Sequence, residues 1–136
     1  MRLPAFLLAL AAPAALQAAP TLHPLFSDHA VLQRERPILV RGNADPGERV
    51  TVTLGNARGS ATADREGAWQ VELAPMQAGG PYTLTATGKG GSSAAASDVL
   101  IGDVWLCSGQ SNMEWPVNRS LNSDSEVAAA RDWKLR

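Results

Sequence analysis

The residues best suited to chemistry lie in one short stretch near the carboxyl end of the sequence. The apolar run Val104–Cys107 is followed by Ser108-Gly109, and Ser111 comes two residues after that glycine. A serine that follows a buried strand can expose its Oγ above a sheet while its own backbone N–H points at a developing oxyanion. The pattern therefore predicts a nucleophile for acyl transfer. Ser111 is favoured over Ser108, which lies nearer the strand and has no glycine just before it.

Two features support the simpler interpretation of Ser111 as a turn residue. Serine and glycine dominate ordinary turns, and Met113 stands where the nucleophile elbow of the α/β-hydrolases has its second glycine. The sequence also offers no visible base, because its two histidines, His23 and His29, lie far upstream. Neither histidine belongs to a cluster with metal-ligand spacing. Both are expected to be structural or surface residues, and no metal site is predicted.

The sequence from residue 25 to residue 101 has the pattern of a small all-β sandwich. Short β-prone runs alternate with turn signals such as Asp45-Pro46-Gly47, in which proline presets φ and glycine supplies a positive φ. About six or seven strands are expected. The clearest are Ala30–Gln33, Pro37–Gly42, Arg49–Leu54, Ala68–Leu73, Tyr82–Thr87 and Ser92–Ile101.

One predicted hairpin contains Trp69, for which two interpretations are considered. The turn Asp64–Gly67 is expected to pair Thr62-Ala63 with the strand Ala68–Leu73. Because successive side chains of a strand point to opposite faces, Trp69 lies on the same face as the other apolar residues of that strand. Trp69 is therefore interpreted as a core residue, and stacking on a sugar is the alternative.

The pattern changes after Gly102. Val104–Cys107 is continuously apolar, which is typical of a strand covered on both faces, and Cys107 is expected to be a small buried residue of that strand. Further on, Ser123-x-x-Glu126 resembles a capping box that introduces an alanine-rich helix. Lys134–Arg136 could begin another strand. The region is interpreted as the opening of an α/β domain.

The first 19 residues have the layout of a secretory signal peptide: one basic residue, an apolar core and small residues at the end. A membrane anchor is the competing interpretation, but prolines interrupt the segment and its apolar core is short for a span. We expect a secreted or periplasmic protein with no membrane span after cleavage. The net charge is −1, and acidic and basic residues are interspersed along the sequence without a basic patch, so no nucleic-acid partner is expected. A single cysteine excludes an internal disulfide.

The run Gly102–Pro116 resembles the nucleophile block of the sialate O-acetylesterase family, secreted carbohydrate esterases of the SGNH hydrolase class. Leu25–Gln33 and Gly67–Trp69 are similar to the amino-terminal β-sandwich of that family. The resemblance implies a mainly β chain, with an Ig-like or jelly-roll-like sandwich followed by the first strand, loop and helix of a truncated, flavodoxin-like α/β domain. The expected division is 1–19 signal peptide, 20–101 sandwich and 102–136 start of the esterase domain.

The same resemblance assigns roles to individual residues. Ser111 matches the nucleophile, Gly109 and Gln110 would shape the turn and support the oxyanion, and Asn112 would hold the loop through its side chain. Glu114 and Trp115 match positions near the pocket. The family takes its histidine, its aspartate and further oxyanion donors from downstream blocks that do not occur in residues 1–136. It implies no cofactor and no metal.

Three functions remain open at this point. The first is part of a serine esterase that removes O-acetyl groups from sialic acid or related sugars and is inactive alone. A second is a non-catalytic exported sandwich that binds glycan or a partner protein. The third keeps the esterase chemistry with another substrate, such as acetylated xylan. Nothing in the sequence sets an oligomeric state.

Overall fold

The structure, a computed structural model, describes residues 18–136 as a β-sandwich followed by an extended tail with short helical turns. The first four strands are β1 (Thr21–Leu22), β2 (Val31–Gln33), β3 (Ile38–Asn43) and β4 (Arg49–Leu54). The next four are β5 (Ala57–Thr62), β6 (Ala68–Leu73), β7 (Gly79–Thr87) and β8 (Ser93–Gly102). One α-helix, α1 (Ser123–Ala129), and three 3₁₀ turns, at Lys89–Gly91, Ser111–Glu114 and Val117–Arg119, complete the described elements. The predicted mainly β sandwich is confirmed.

The strands form two sheets. One has the order β1-β3-β6 and the other the order β2-β8-β7-β4-β5. All the pairs are antiparallel except the pairing of β2 with β8, which is parallel and ends at Gln33 opposite Gly102. The short edge strand β2 therefore runs beside the end of β8, at the point where the chain leaves the sandwich.

The predicted hairpin between β5 and β6 is wrong, because the two strands belong to different sheets. β5 pairs along its whole length with β4, and all six residues of β6 pair with β3. Between them, Asp64 Oδ1 accepts hydrogen bonds from the backbone N–H groups of Glu66 and Ala68 at 3.0 and 2.8 Å. This turn carries the chain from one sheet to the other rather than back along the same sheet.

The core lies between the two sheets and follows the period-two pattern of the strands. β6 alternates exposed and buried residues without exception, and β3 does the same. Trp69 is only 3% exposed, which confirms its interpretation as a core residue. Its Nε1 has no hydrogen-bond partner among the described residues. The fully buried side chains of the same core cluster include Val40, Val50, Val52, Leu54, Leu84 and Val99.

One buried carboxylate joins two turns at the end of the sandwich. Glu48 is 7% exposed, yet its side chain meets no cation within salt-bridge distance among the described residues. Instead its Oε2 accepts the Asp45 N–H at 3.1 Å and its Oε1 accepts the Lys89 N–H at 2.7 Å. Buried charges need such partners. Glu48 therefore links the turn before β4 to the turn between β7 and β8.

Beyond Gly102 the structure differs from the predicted strand. Val104–Cys107 forms no strand, with Trp105 83% and Leu106 94% exposed. Cys107 is exposed as well, so its predicted burial is wrong. The physical reason is that a parallel strand needs backbone partners on its edges, and no described residue pairs with this segment.

The end of the tail confirms one prediction and corrects two. The helix expected after Ser123 is α1, but its N-cap is Asn122, and no side-chain cap forms in place of the predicted capping box. Lys134–Arg136 is not a strand. None of the described helices is long and apolar enough to cross a membrane. Most of the predicted signal peptide, 1–19, lies outside the described residues, and the division at residue 102 stays a prediction.

Candidate functional site

Ser111 is the first residue of a compact 3₁₀ turn, Ser111–Glu114, and it is exposed. The turn is held by a hydrogen bond of 2.9 Å from the Met113 N–H to the Gln110 carbonyl. A weaker one, of 3.4 Å, joins the Trp115 N–H to the Asn112 carbonyl. The backbone N–H of Ser111 takes part in neither bond. Neither its hydroxyl nor its N–H is therefore used by a hydrogen bond among the described residues.

Gly109 is closely covered by the turn that follows it. A Cβ built at this position would lie 2.6 Å from Met113 Cγ, much closer than side chains normally approach. The glycine therefore lets Met113 fold back over the backbone just before Ser111. Gly109 and Gln110 lead the chain into the turn, and their role in shaping it stays a prediction.

The other predicted site residues lie on the same turn. Glu114 and Trp115 are exposed, with Trp115 60% accessible. The side chain of Asn112, predicted to hold the loop, makes no hydrogen bond to a described residue, and only its backbone carbonyl takes part in the turn. The structure thus places the whole predicted set, residues 109–115, in or directly beside one exposed turn. Their catalytic and binding roles stay predictions.

No base contacts Ser111 within the described residues. The Nδ1 of His23 accepts the Leu25 N–H at 3.3 Å, and the Nδ1 of His29 lies 2.6 Å from Asp98 Oδ2. Both histidines are therefore engaged in local contacts on the sandwich. The Ser111 hydroxyl makes no hydrogen bond to any described side chain, so the structure shows a free hydroxyl rather than an activated one.

Asp98 is the centre of a charged cluster that the sequence does not reveal. Besides its contact with His29, its Oδ2 accepts a hydrogen bond of 2.8 Å from Arg136 Nη2, and its carbonyl accepts from Arg136 Nη1. The hydrogen bond from Arg136, and then the one from His29, lowers the pKa of Asp98 below its ordinary value of 3.8. The cluster ties the end of the tail to the sandwich. No local motif could have found it, because the partners are far apart in the sequence.

A groove of about 960 Å³ lies between the sandwich and the tail. Its walls include His29, Gly80, Ile101, Trp105, Trp133 and Arg136. Ser111 does not line it. Within residues 18–136, no group of three or more His, Cys, Asp or Glu side chains is placed to hold a metal ion.

Comparison with known proteins shows to which families this chain is similar. Residues 27–103 match the model of the bacterial Ig domain. The sialate O-acetylesterase of Mus musculus is 36% identical over 111 residues, which cover 74% of this chain and 20% of that protein. The sialate O-acetylesterase of Homo sapiens is 37% identical over 108 residues, covering 72% of this chain and 21% of that protein.

A solved structure supports the same relationship. The crystal structure of a carbohydrate acetylesterase from Xanthomonas citri is 45% identical, with a TM-score of 0.75. The similarity covers 83% of this chain and 26% of that one. The chain therefore spans about a fifth of the length of the curated relatives it matches, and about a quarter of the structural one. Through residues 27–103 it belongs to the bacterial Ig domain family, and its relatives confirm the resemblance to the sialate O-acetylesterase family, of which it matches the amino-terminal portion.

Proposed function

We propose that this chain supplies the sandwich and the nucleophile of a carbohydrate esterase that removes O-acetyl groups from sialic acid or a related acetylated sugar. The main support is its identity of 36–45% with proteins named as sialate and carbohydrate acetylesterases. The exposed hydroxyl of Ser111, on a turn held by backbone hydrogen bonds, is consistent with this role. No cofactor or metal is part of the proposal.

In the proposed reaction, Ser111 Oγ attacks the acetyl carbonyl carbon and its proton passes to a base. The sugar hydroxyl leaves as the ester bond breaks, and water then releases acetate from the acyl-serine. The backbone N–H of Ser111 would donate to the oxyanion. Gly109 would shape the turn, Gln110 and Asn112 would hold it through their backbone carbonyls, and Glu114 and Trp115 would border the sugar.

We propose that the base and its orienting carboxylate come from residues outside this chain, because both of its histidines are engaged on the sandwich. Loss of the histidine in a serine hydrolase lowers turnover by about a million-fold. Residues 1–136 alone are therefore expected to hydrolyse esters at a rate close to background.

The test is hydrolysis of p-nitrophenyl acetate by this chain and by the longest protein that contains it. We expect turnover only in the longer protein, abolished by Ser111→Ala and retained in the matched variant Ser108→Ala. Labelling by a fluorophosphonate should follow the same pattern. Turnover that survives Ser111→Ala would refute the assignment of the nucleophile.

A second candidate is a non-catalytic module that binds glycan or a partner protein. The observation in its favour is that the bacterial Ig match ends at residue 103, before Ser111. This function predicts glycan binding by the chain, measured by calorimetry, with no ester turnover in the longer protein. The choice of substrate would also distinguish the candidate sugars, since hydrolysis of acetylated xylan tests directly whether the esterase acts on another substrate.

We also propose export to the periplasm or the cell exterior, on the basis of the leader in residues 1–19. Amino-terminal sequencing of the mature protein should find Ala19 or Pro20 as the first residue. A mature protein that retains Met1 in the cytoplasm would contradict export.

A further inference from the structure

The point where the chain leaves the sandwich is held by three hydrogen bonds from the end of β2. The Arg34 N–H donates to the Gly102 carbonyl, Arg34 Nε donates to Asp103 Oδ1, and Gln33 Oε1 accepts the Val104 N–H, each at 2.9 Å. We call these three bonds the exit contacts. Two adjacent residues of the sandwich thus hold three consecutive residues of the departing chain.

The exit contacts lie at the end of the sheet, where the last strand pair stops. The parallel register of β2 and β8 stops at Gln33 opposite Gly102. The two side-chain contacts lie one and two residues beyond that pair. Among the described residues, hydrogen bonds between the sandwich and the tail then resume only at Arg136, which contacts Asp98. The segment that bears Ser111 is therefore anchored at its start by Gln33 and Arg34.

These contacts are better suited to setting direction than to supplying stability. The side chains of Arg34 and Asp103 are 37% and 49% exposed, and ion pairs at such exposure contribute little to folding. Three bonds on three consecutive residues nevertheless restrict the backbone at the exit. Small displacements of a catalytic group lower turnover strongly, so the direction of this backbone matters for Ser111.

We propose that Gln33 and Arg34 are positioning residues that hold the backbone at Gly102–Val104 and so set the direction in which the Ser111 segment leaves the sandwich. The link to catalysis rests on the proposed function. The positional part does not, because it concerns only the geometry of the described chain.

Cys107 makes a direct test possible. It is the only cysteine in the sequence, it is exposed, and it lies between the exit contacts and Ser111. A nitroxide attached to Cys107 reports the mobility of this segment by electron paramagnetic resonance. We expect narrower lines, and so a more mobile label, in Arg34→Ala and more so in Gln33→Ala/Arg34→Ala. The melting temperature should stay close to that of the unaltered chain.

Three further variants make the experiment decisive. Arg36→Ala removes an exposed arginine with no ion pair among the described residues and should leave the lines unchanged. Asp103→Asn weakens the same contact from outside the sheet, so it tests the proposal even if an Arg34 variant fails to fold. Exchanging the charges, Arg34→Asp with Asp103→Arg, should broaden the lines again in part, towards those of the unaltered chain. Unchanged lines in the Arg34 or Asp103 variants would overturn the proposal.

An activity measurement separates this proposal from the proposed function. Where Ser111-dependent turnover is measured, Arg34→Ala should lower kcat about tenfold with little change in KM, and Arg36→Ala should not. If Ser111 proves inactive while the label at Cys107 still responds to Arg34, the esterase function fails and the positional proposal stands. If turnover depends on Ser111 but neither kcat nor the label responds to Arg34, the positional proposal fails alone.

Discussion

Glu48 offers the sharpest test of what stabilises the sandwich. Its carboxylate is buried and accepts two backbone N–H bonds, from Asp45 and from Lys89. Hydrogen bonds to a charged group contribute about 1.5–3 kcal/mol each, so two of them give about 3–6 kcal/mol. Because Asp45 and Lys89 are themselves exposed, water can replace part of what is lost. We expect Glu48→Ala to lower the free energy of unfolding by about 3 kcal/mol.

The assay is urea unfolding followed by the fluorescence of the tryptophans, among which Trp69 is buried in the core. A loss of this size corresponds to a decrease in melting temperature of about 12–24 °C for a domain of this length. Glu48→Gln keeps one acceptor oxygen and should lose about half as much stability. Glu72→Ala, on the exposed face of β6, is the matched control, and its effect should stay within about 0.5 kcal/mol. If Glu48→Ala and Glu72→Ala unfold at the same urea concentration, the buried carboxylate is not a structural link.

Three other predictions concern the core tryptophan, two glycines and acid stability. Trp69→Ala should cost about 3–5 kcal/mol, whereas Trp69→Phe should cost much less, because it keeps a buried ring and removes the unpartnered Nε1–H; equal losses in urea unfolding would contradict this. Gly42→Ala should destabilise far more than Gly47→Ala, since its Cβ would overlap the Thr21 carbonyl oxygen and approach Trp69 Cζ2 to 2.6 Å. Gly47→Ala meets only the cost of a positive φ of 77°, about 1–2 kcal/mol, and melting curves of the two variants rank them. Finally, hydrogen bonds lower the pKa values of three aspartates. The Ser97 backbone acts on Asp28, Arg136 on Asp98 and Arg34 on Asp103. A carboxyl group whose pKa is lowered in the folded state stabilises the fold fully at pH values above its ordinary pKa of 3.8, and this stabilisation is lost as the pH falls through the folded-state pKa. The melting temperature should therefore decrease below about pH 4, and this decrease should be less steep in Asp28→Asn.

The strands were predictable because alternation is a local property. Arg49–Leu54 and Ala68–Leu73 show it in the sequence and occupy the predicted strands without a shift. The choice of partner was not predictable in the same way. The turn Asp64–Gly67 carries the same signals whether the chain returns along one sheet or crosses to another, and only the pairing of β6 with β3 decides between them.

For the site, too, the local features were predictable and the contacts between distant residues were not. The turn around Ser111 was predictable because its residues are adjacent in the sequence, and the family resemblance named them. Val104–Cys107 was misjudged, since an apolar run indicates what a segment needs to contact and not whether those contacts exist in the described chain. The pair of His29 and Asp98 and the exit contacts were missed, because each joins residues that only the folded sheet brings together.

The parallel pairing of β2 with β8 has a consequence for synthesis on the ribosome. β2 emerges early, but its only partner strand in the described chain is the last strand of the sandwich. Contacts this remote in sequence form slowly. During translation, β2 therefore stays without its strand partner until β8, the last described strand of the sandwich, has been synthesised.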